Sequence, residues 1–132
     1  MEDFTFFDFD KSPRGRVMKA DEFSLNHKAQ YYTITFNMEV STMIRKGGYK
    51  YLRIRHDNIT GELHFIFTKN KGLQFSTEKN HAKNITIKNK DMVLFLINKL
   101  NISYNSVRTV IKISKNLANS NEFLTFKILR EH

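Results

Sequence analysis

Tyr51-Leu52-Arg53-Ile54-Arg55-His56-Asp57-Asn58-Ile59-Thr60-Gly61-Glu62-Leu63-His64-Phe65-Ile66-Phe67-Thr68 holds two runs of alternating residues around a segment dense in turn formers. Such a pattern predicts a β-hairpin. A four-residue loop over 58–61, closing on Asp57 and Glu62, sets the register. His56 then opposes Leu63, Arg55 opposes His64, and Ile54 opposes Phe65. Arg53 opposes Ile66, Leu52 opposes Phe67, and Tyr51 opposes Thr68. Opposed residues share a face of the ribbon. One face becomes Leu52, Ile54, Leu63, Phe65 and Phe67, which is core. The other becomes Tyr49, Tyr51, Arg53, Arg55, His64, Ile66 and Thr68. A slip of one residue would set Arg beside Phe and spoil both faces.

Outward from this ribbon, Tyr31 to Val40 alternates with period two and predicts a half-buried strand. Lys46-Gly47-Gly48 breaks the chain, and Asn70-Lys71-Gly72 marks a turn. Leu73 to Thr77 and Ile85 to Lys88 read as short extended pieces, with a polar loop over 78–84. Asn89 is a predicted N-cap, and Asp91 suits the positive end of a first turn. Met92, Phe95, Leu96 and Leu100 follow at helical spacing, and Asn101 is a C-terminal stop. Val93, Leu94 and Ile97 are apolar as well. A helix apolar nearly all round is buried or packs on another chain, so Met92, Phe95, Leu96 and Leu100 are the expected face of a homodimer. Val107 to Ser114 and Glu122 to Leu129 predict a last hairpin.

The expected architecture is therefore α+β: a curved antiparallel β-sheet covered on one face by a single helix, with an additional C-terminal β-hairpin. One domain is expected over residues 1–132. Its core spans 31–132. Residues 1–30 look irregular, with Phe4, Phe6, Phe7 and Phe9 among Asp3, Asp8 and Asp10.

The 132 residues include 22 Lys+Arg against 13 Asp+Glu, a net charge of +9. The excess is concentrated: residues 43–90 alone hold 11 Lys+Arg and 3 Asp+Glu. A basic region of this density attracts polyanions and releases counterions from a phosphate backbone. On the ribbon it is interleaved with aromatics, and bases of a single strand stack on flat side chains while cations track the phosphates. Single-stranded DNA or RNA is the expected partner, bound largely without sequence preference. The expected binding residues are Arg45, Lys46, Tyr49, Lys50, Tyr51, Arg53, Arg55, His64, Lys69 and Lys71. The alternative is a protein-interaction module, an inhibitor or accessory factor, with an acidic protein partner.

Other chemistry has little footing. Cys is absent, which removes disulfides, thiolate metal sites and a Cys nucleophile. No two of the five His stand at ligand spacing, and His56 and His64 fall on opposite faces of the ribbon. Lys46-Gly47-Gly48 lacks the spacing of a phosphate loop. No enzyme activity, cofactor or metal is expected. The acidic start Met1-Glu2-Asp3 is unlike a signal peptide. The longest apolar run, Met92 to Ile97, is too short for a bilayer. A cytoplasmic location without membrane contact is expected.

Tyr51-Leu52-Arg53-Ile54-Arg55-His56-Asp57, Thr60-Gly61-Glu62-Leu63, and Ile85-Thr86-Ile87-Lys88 leading into a helix that ends Leu100-Asn101-Ile102 resemble the positive cofactor four family of transcriptional coactivators and its bacterial and phage relatives. The resemblance covers residues 43–102. It implies single-stranded DNA binding, a curved antiparallel sheet followed by one helix, and dimerisation partly through that helix. It also implies that Tyr51, Arg53, Arg55, Lys69 and Lys71 face the DNA. A hairpin after the helix and an acidic aromatic segment before the sheet depart from the family pattern.

Overall fold

The computed structural model describes residues 22–28, 30–77, 84–103, 108–114 and 122–129. Along the chain run β1 (Glu22–Lys28), β2 (Tyr31–Phe36), α1 (Met38–Gly47), β3 (Tyr51–His56), β4 (Leu63–Thr68), β5 (Leu73–Gln74), β6 (Thr86–Lys88), α2 (Lys90–Lys99), β7 (Arg108–Lys112) and β8 (Phe123–Ile128). The class is α+β, as the sequence implies. The strands form two antiparallel sheets of four, ordered β6-β2-β1-β7 and β5-β3-β4-β8.

The single sheet and single helix of the sequence reading are thus replaced by two of each. Phenylalanines join the sheets. Phe23 and Phe36 of the first sheet meet Phe65 of the second edge-on, with ring centroids 4.8 and 5.1 Å apart. Phe36 also meets Phe67 at 5.2 Å. These four rings have no exposed surface. Edge-to-face packing suits the aromatic quadrupole and adds to the benefit of burying so much apolar area.

The predicted strand over 31–40 ends at Phe36. Asn37 caps a helix instead: its Oδ1 accepts the Val40 N–H at 2.8 Å, and Glu39 lies in the first turn while Arg45 and Lys46 lie in the last. Both placements complement the helix dipole. Val40 and Ile44, four apart, are fully buried. Gly48 closes α1 in the left-handed region at φ 74, and its N–H reaches the Arg45 and Ile44 carbonyls. Ser41 ties α1 to the first sheet: its Oγ donates to the Phe36 carbonyl at 3.2 Å and accepts the Ile85 N–H at 2.8 Å.

The predicted C-terminal hairpin is also redistributed. β7 pairs with β1 and β8 pairs with β4, so the two strands serve different sheets. Among the described residues they join at an Ile113–Ile128 bridge, flanked by Ser114 N–H to Lys127 carbonyl and Leu129 N–H to Lys112 carbonyl bonds of 2.8 and 2.9 Å. Segment 43–102, which carries the family resemblance, is split as well. β3, β4 and β5 lie in the second sheet while β6 pairs with β2 of the first.

α2 begins where predicted, with Asn89 Oδ1 accepting the Met92 N–H at 2.8 Å. It lies against β2 and β1 and puts Val93, Leu96 and Ile97 into the core. Leu96 has no exposed surface and Leu100 only 8%. Both are covered by their own chain, which removes them from the expected dimer face. Phe95 remains exposed and Met92 partly so. Within residues 1–30, which the sequence leaves irregular, Glu22–Lys28 is a strand at the centre of the first sheet. The aromatic acidic run 3–10 lies outside the described residues.

Candidate nucleic-acid interface

β3 and β4 pair in the register read from the sequence, from Tyr51 with Thr68 to His56 with Leu63. β8 extends the ribbon on the far side of β4, with Lys127 opposite His64, Thr125 opposite Ile66, and Phe123 opposite Thr68. The outward face therefore consists of three rungs. Gln74, Tyr51, Thr68 and Phe123 form the first; Arg53, Ile66 and Thr125 the second; Arg55, His64 and Lys127 the third. The two arginines are solvent-exposed and stand two residues apart, about 6.6 Å along the strand.

A shallow concavity of about 330 Å³ opens on this face, lined by Arg53, Arg55, Ile66, Lys71, Glu122 and Phe123 among others. Phe123 is 41% exposed, an apolar ring presented to solvent beside two cations. The turn after β4 is pinned back to the sheet: the Lys71 N–H donates to Thr68 Oγ1 at 3.0 Å. Gly72 permits this close return at φ 127, since a Cβ there would lie 2.6 Å from the Leu52 carbonyl oxygen. Lys71 is thereby held at the edge of the concavity. On the other side of Tyr51, a depression of about 380 Å³ is lined by Lys50, Gln74 and Ser76.

The ten expected binding residues separate into groups. Tyr51, Arg53, Arg55 and Lys71 gather on or beside the outward face, with exposed Lys50 at the neighbouring depression. Lys46 is exposed on α1, and Arg45 donates from Nε to the Thr77 carbonyl at 3.2 Å. Tyr49 departs from expectation. It is 7% exposed and belongs to the core. Its parity with Tyr51 has no force because β3 starts only at Tyr51, after the left-handed Gly48 turn. Its ring lies so close to Gly47 that a Cβ there would come within 2.1 Å. Lys69 places its ammonium 5.7 Å from the Tyr49 ring centroid, an attraction to the π face.

His64 also departs from the expectation of a surface cation. It is 8% exposed, and its Nδ1 is buried without a hydrogen-bond partner among the described residues. Burial disfavours its charged form, and Arg55 and Lys127 add to the effect while Glu62 opposes it, so its pKa lies below the ordinary value. Glu62 bonds instead with Lys127, at 2.9 Å, and leaves His64 Nε2 at 3.9 Å. Among the described residues, the rung thus sets the exposed Arg55 beside an imidazole whose protonation is disfavoured and a Glu62–Lys127 ion pair.

The turn beyond this rung is built around Asp57. Its Oδ1 accepts the Ile59 and Thr60 N–H groups at 2.9 and 3.2 Å. These bonds hold its carboxyl below the usual range. Asp57 is a turn-fixing residue here. Among the described residues no three His, Asp or Glu side chains converge on a metal position, and no helix is long and apolar enough to cross a membrane.

Phe123 and Lys127, which stand on this face, are not among the residues expected from the sequence. The alternation of Phe123, Thr125 and Lys127 against Leu124, Phe126 and Ile128 was legible, but the position of that strand beside β4 was not. A scan of protein-family models and searches of curated proteins and of solved structures return no match to the chain.

Proposed function

We propose that the protein binds single-stranded nucleic acid, without strong sequence preference, across the outward face of the β5-β3-β4-β8 sheet. The observation that carries this reading is the placing of Arg53 and Arg55, both exposed, around a concavity whose far wall is the exposed ring of Phe123. Guanidinium groups pair with phosphate oxygens in a fork geometry. Tyr51 and Phe123 supply flat apolar surfaces for unpaired bases, and a duplex, whose bases are stacked on each other, has none to offer. Lys71 and Lys50 extend the positive field along the sheet's edge. The reading keeps the partner implied by the resemblance to the positive cofactor four family and rests on the face rather than on the family's arrangement of strands.

The test is fluorescence anisotropy with labelled oligo-dT, a matched duplex and a matched RNA at two salt concentrations. Tight, salt-sensitive binding of the single strands and weaker binding of the duplex support the reading. Absence of binding to all three turns the basic face toward an acidic protein partner instead.

A further inference from the structure

The first sheet has its own cationic aromatic corner, away from the residues discussed so far. Tyr31 opens β2 and is 65% exposed, the most exposed aromatic ring among the described residues. Lys28 of β1 lies directly opposite it in the register, so the two share a face. On the other flank Lys88 of β6 holds its ammonium 5.7 Å from the Tyr31 ring centroid. The ring is thus bracketed by cations from the two neighbouring strands.

Next to it, the junction from β6 into α2 makes a cleft of about 260 Å³ lined by Gln30, Tyr32, Lys88 and Lys90. Lys90 sits 5.6 Å from the Tyr32 ring centroid. The Asn89 N–H bonds to the Tyr32 carbonyl at 3.0 Å and fixes the junction against the strand. Consecutive strand residues point to opposite faces, so Tyr31 and Tyr32 bracket the end of β2 and each carries a lysine. One acid, Asp91, follows on α2. Among the described residues, the three lysines Lys28, Lys88 and Lys90 stand against this one carboxylate.

We propose that the Tyr31 face of this corner is a second nucleotide-binding site, taking a base on the exposed ring of Tyr31 and its phosphate on Lys28 or Lys88, the cations that flank the ring. Ammonium groups are compact phosphate partners, and a phenol ring stacks on any base. The ligand chemistry is a phosphate joined to a planar base, whether a free nucleotide or one unit of a strand. The inference does not depend on the Arg53–Arg55 face, which belongs to the other sheet.

Amide NMR of the full chain during titration with tetrathymidylate, and separately with thymidine monophosphate, tests it. The variants are Tyr31→Ala/Lys88→Ala, both at exposed positions, and Arg53→Ala/Arg55→Ala. Saturable shifts at Lys28, Tyr31 and Lys88 are expected in wild type and in the arginine variant. At this corner the Tyr31→Ala/Lys88→Ala variant should lose at least about tenfold in affinity, the scale of one stacked base. Equal shifts with the monophosphate identify a free nucleotide as ligand, and shifts with the tetranucleotide alone identify a strand. Shifts confined to β3, β4 and β8, or unchanged affinity at the corner in the Tyr31→Ala/Lys88→Ala variant, overturn the site. Corner shifts that persist while the arginine variant binds oligo-dT like wild type would instead sink the β3 face and leave this site standing.

Discussion

Tyr51 and Phe123 both stand opposite Thr68, one on β3 and the other on β8, and so occupy one rung of the same sheet face. Two strand spacings separate them, roughly 9.6 Å. A base could therefore meet either ring on this face.

Phe123→Ala removes one of these surfaces. Because the ring is exposed, its loss should leave folding intact. Affinity for oligo-dT should fall by about 1–3 kcal/mol, the range for one stacked base. Anisotropy titration checks the affinity and thermal unfolding checks the fold. Unchanged affinity would remove Phe123 from the interface.

Glu62 neutralises Lys127 across 2.9 Å on the third rung. Glu62→Gln releases that lysine to the face. Oligo-dT binding should tighten, and the slope of log K against log salt should steepen by about 0.7, the increment for one further phosphate contact on a single strand. A series of titrations from low to high salt reads both. Weaker binding or a shallower slope would show that Lys127 lies off the path of the strand.

His64 links this rung to pH. Burial first, then Arg55 and Lys127, depress its folded pKa below 6.5, against the opposing pull of Glu62 and Asp57. Below about pH 6.5 the unfolded chain therefore binds more protons than the folded one. The contribution is complete above that pH and is lost as pH falls through the folded value. Urea unfolding at pH 7.5, 6.5 and 5.5 should show a decline in stability that His64→Gln reduces. An equal decline in the variant would assign the effect to other groups.

α2 separates core from surface between two adjacent residues. Leu96 is fully buried whereas Phe95 is 38% exposed, with Lys99 5.8 Å from its ring centroid. Leu96→Ala should cost about 2–5 kcal/mol, as other large-to-small core changes do. Phe95→Ala should cost far less. Denaturant midpoints of the two variants measure the difference, and similar losses would contradict the packing of α2 on its own sheet.

The β3–β4 ribbon was legible because both of its faces are chemically distinct and its turn is short, so only one register satisfies them. α2 was legible for a similar local reason, Asn89 preceding an apolar helical pattern. α1 was hidden by coincidence. Met38 and Val40 continue the alternation of β2 in phase, although Asn37 at one end and Gly47-Gly48 at the other are helix boundary signals. The rest was hidden by distance along the chain. Nothing local to Phe123 says that its strand lies beside β4. Nothing local to Ile87 says that it pairs with Ile34. The arginines of the candidate face could be read from the sequence, whereas Phe123 on its far wall required the long-range pairing.

The most direct measurement is the salt dependence of oligo-dT binding by wild type and by Arg53→Ala/Arg55→Ala. With two phosphate contacts removed, binding should weaken and the slope of log K against log salt should become shallower by about 1.4. Identical affinity and slope in the two proteins would contradict the assignment of the β3 face as the nucleic-acid interface.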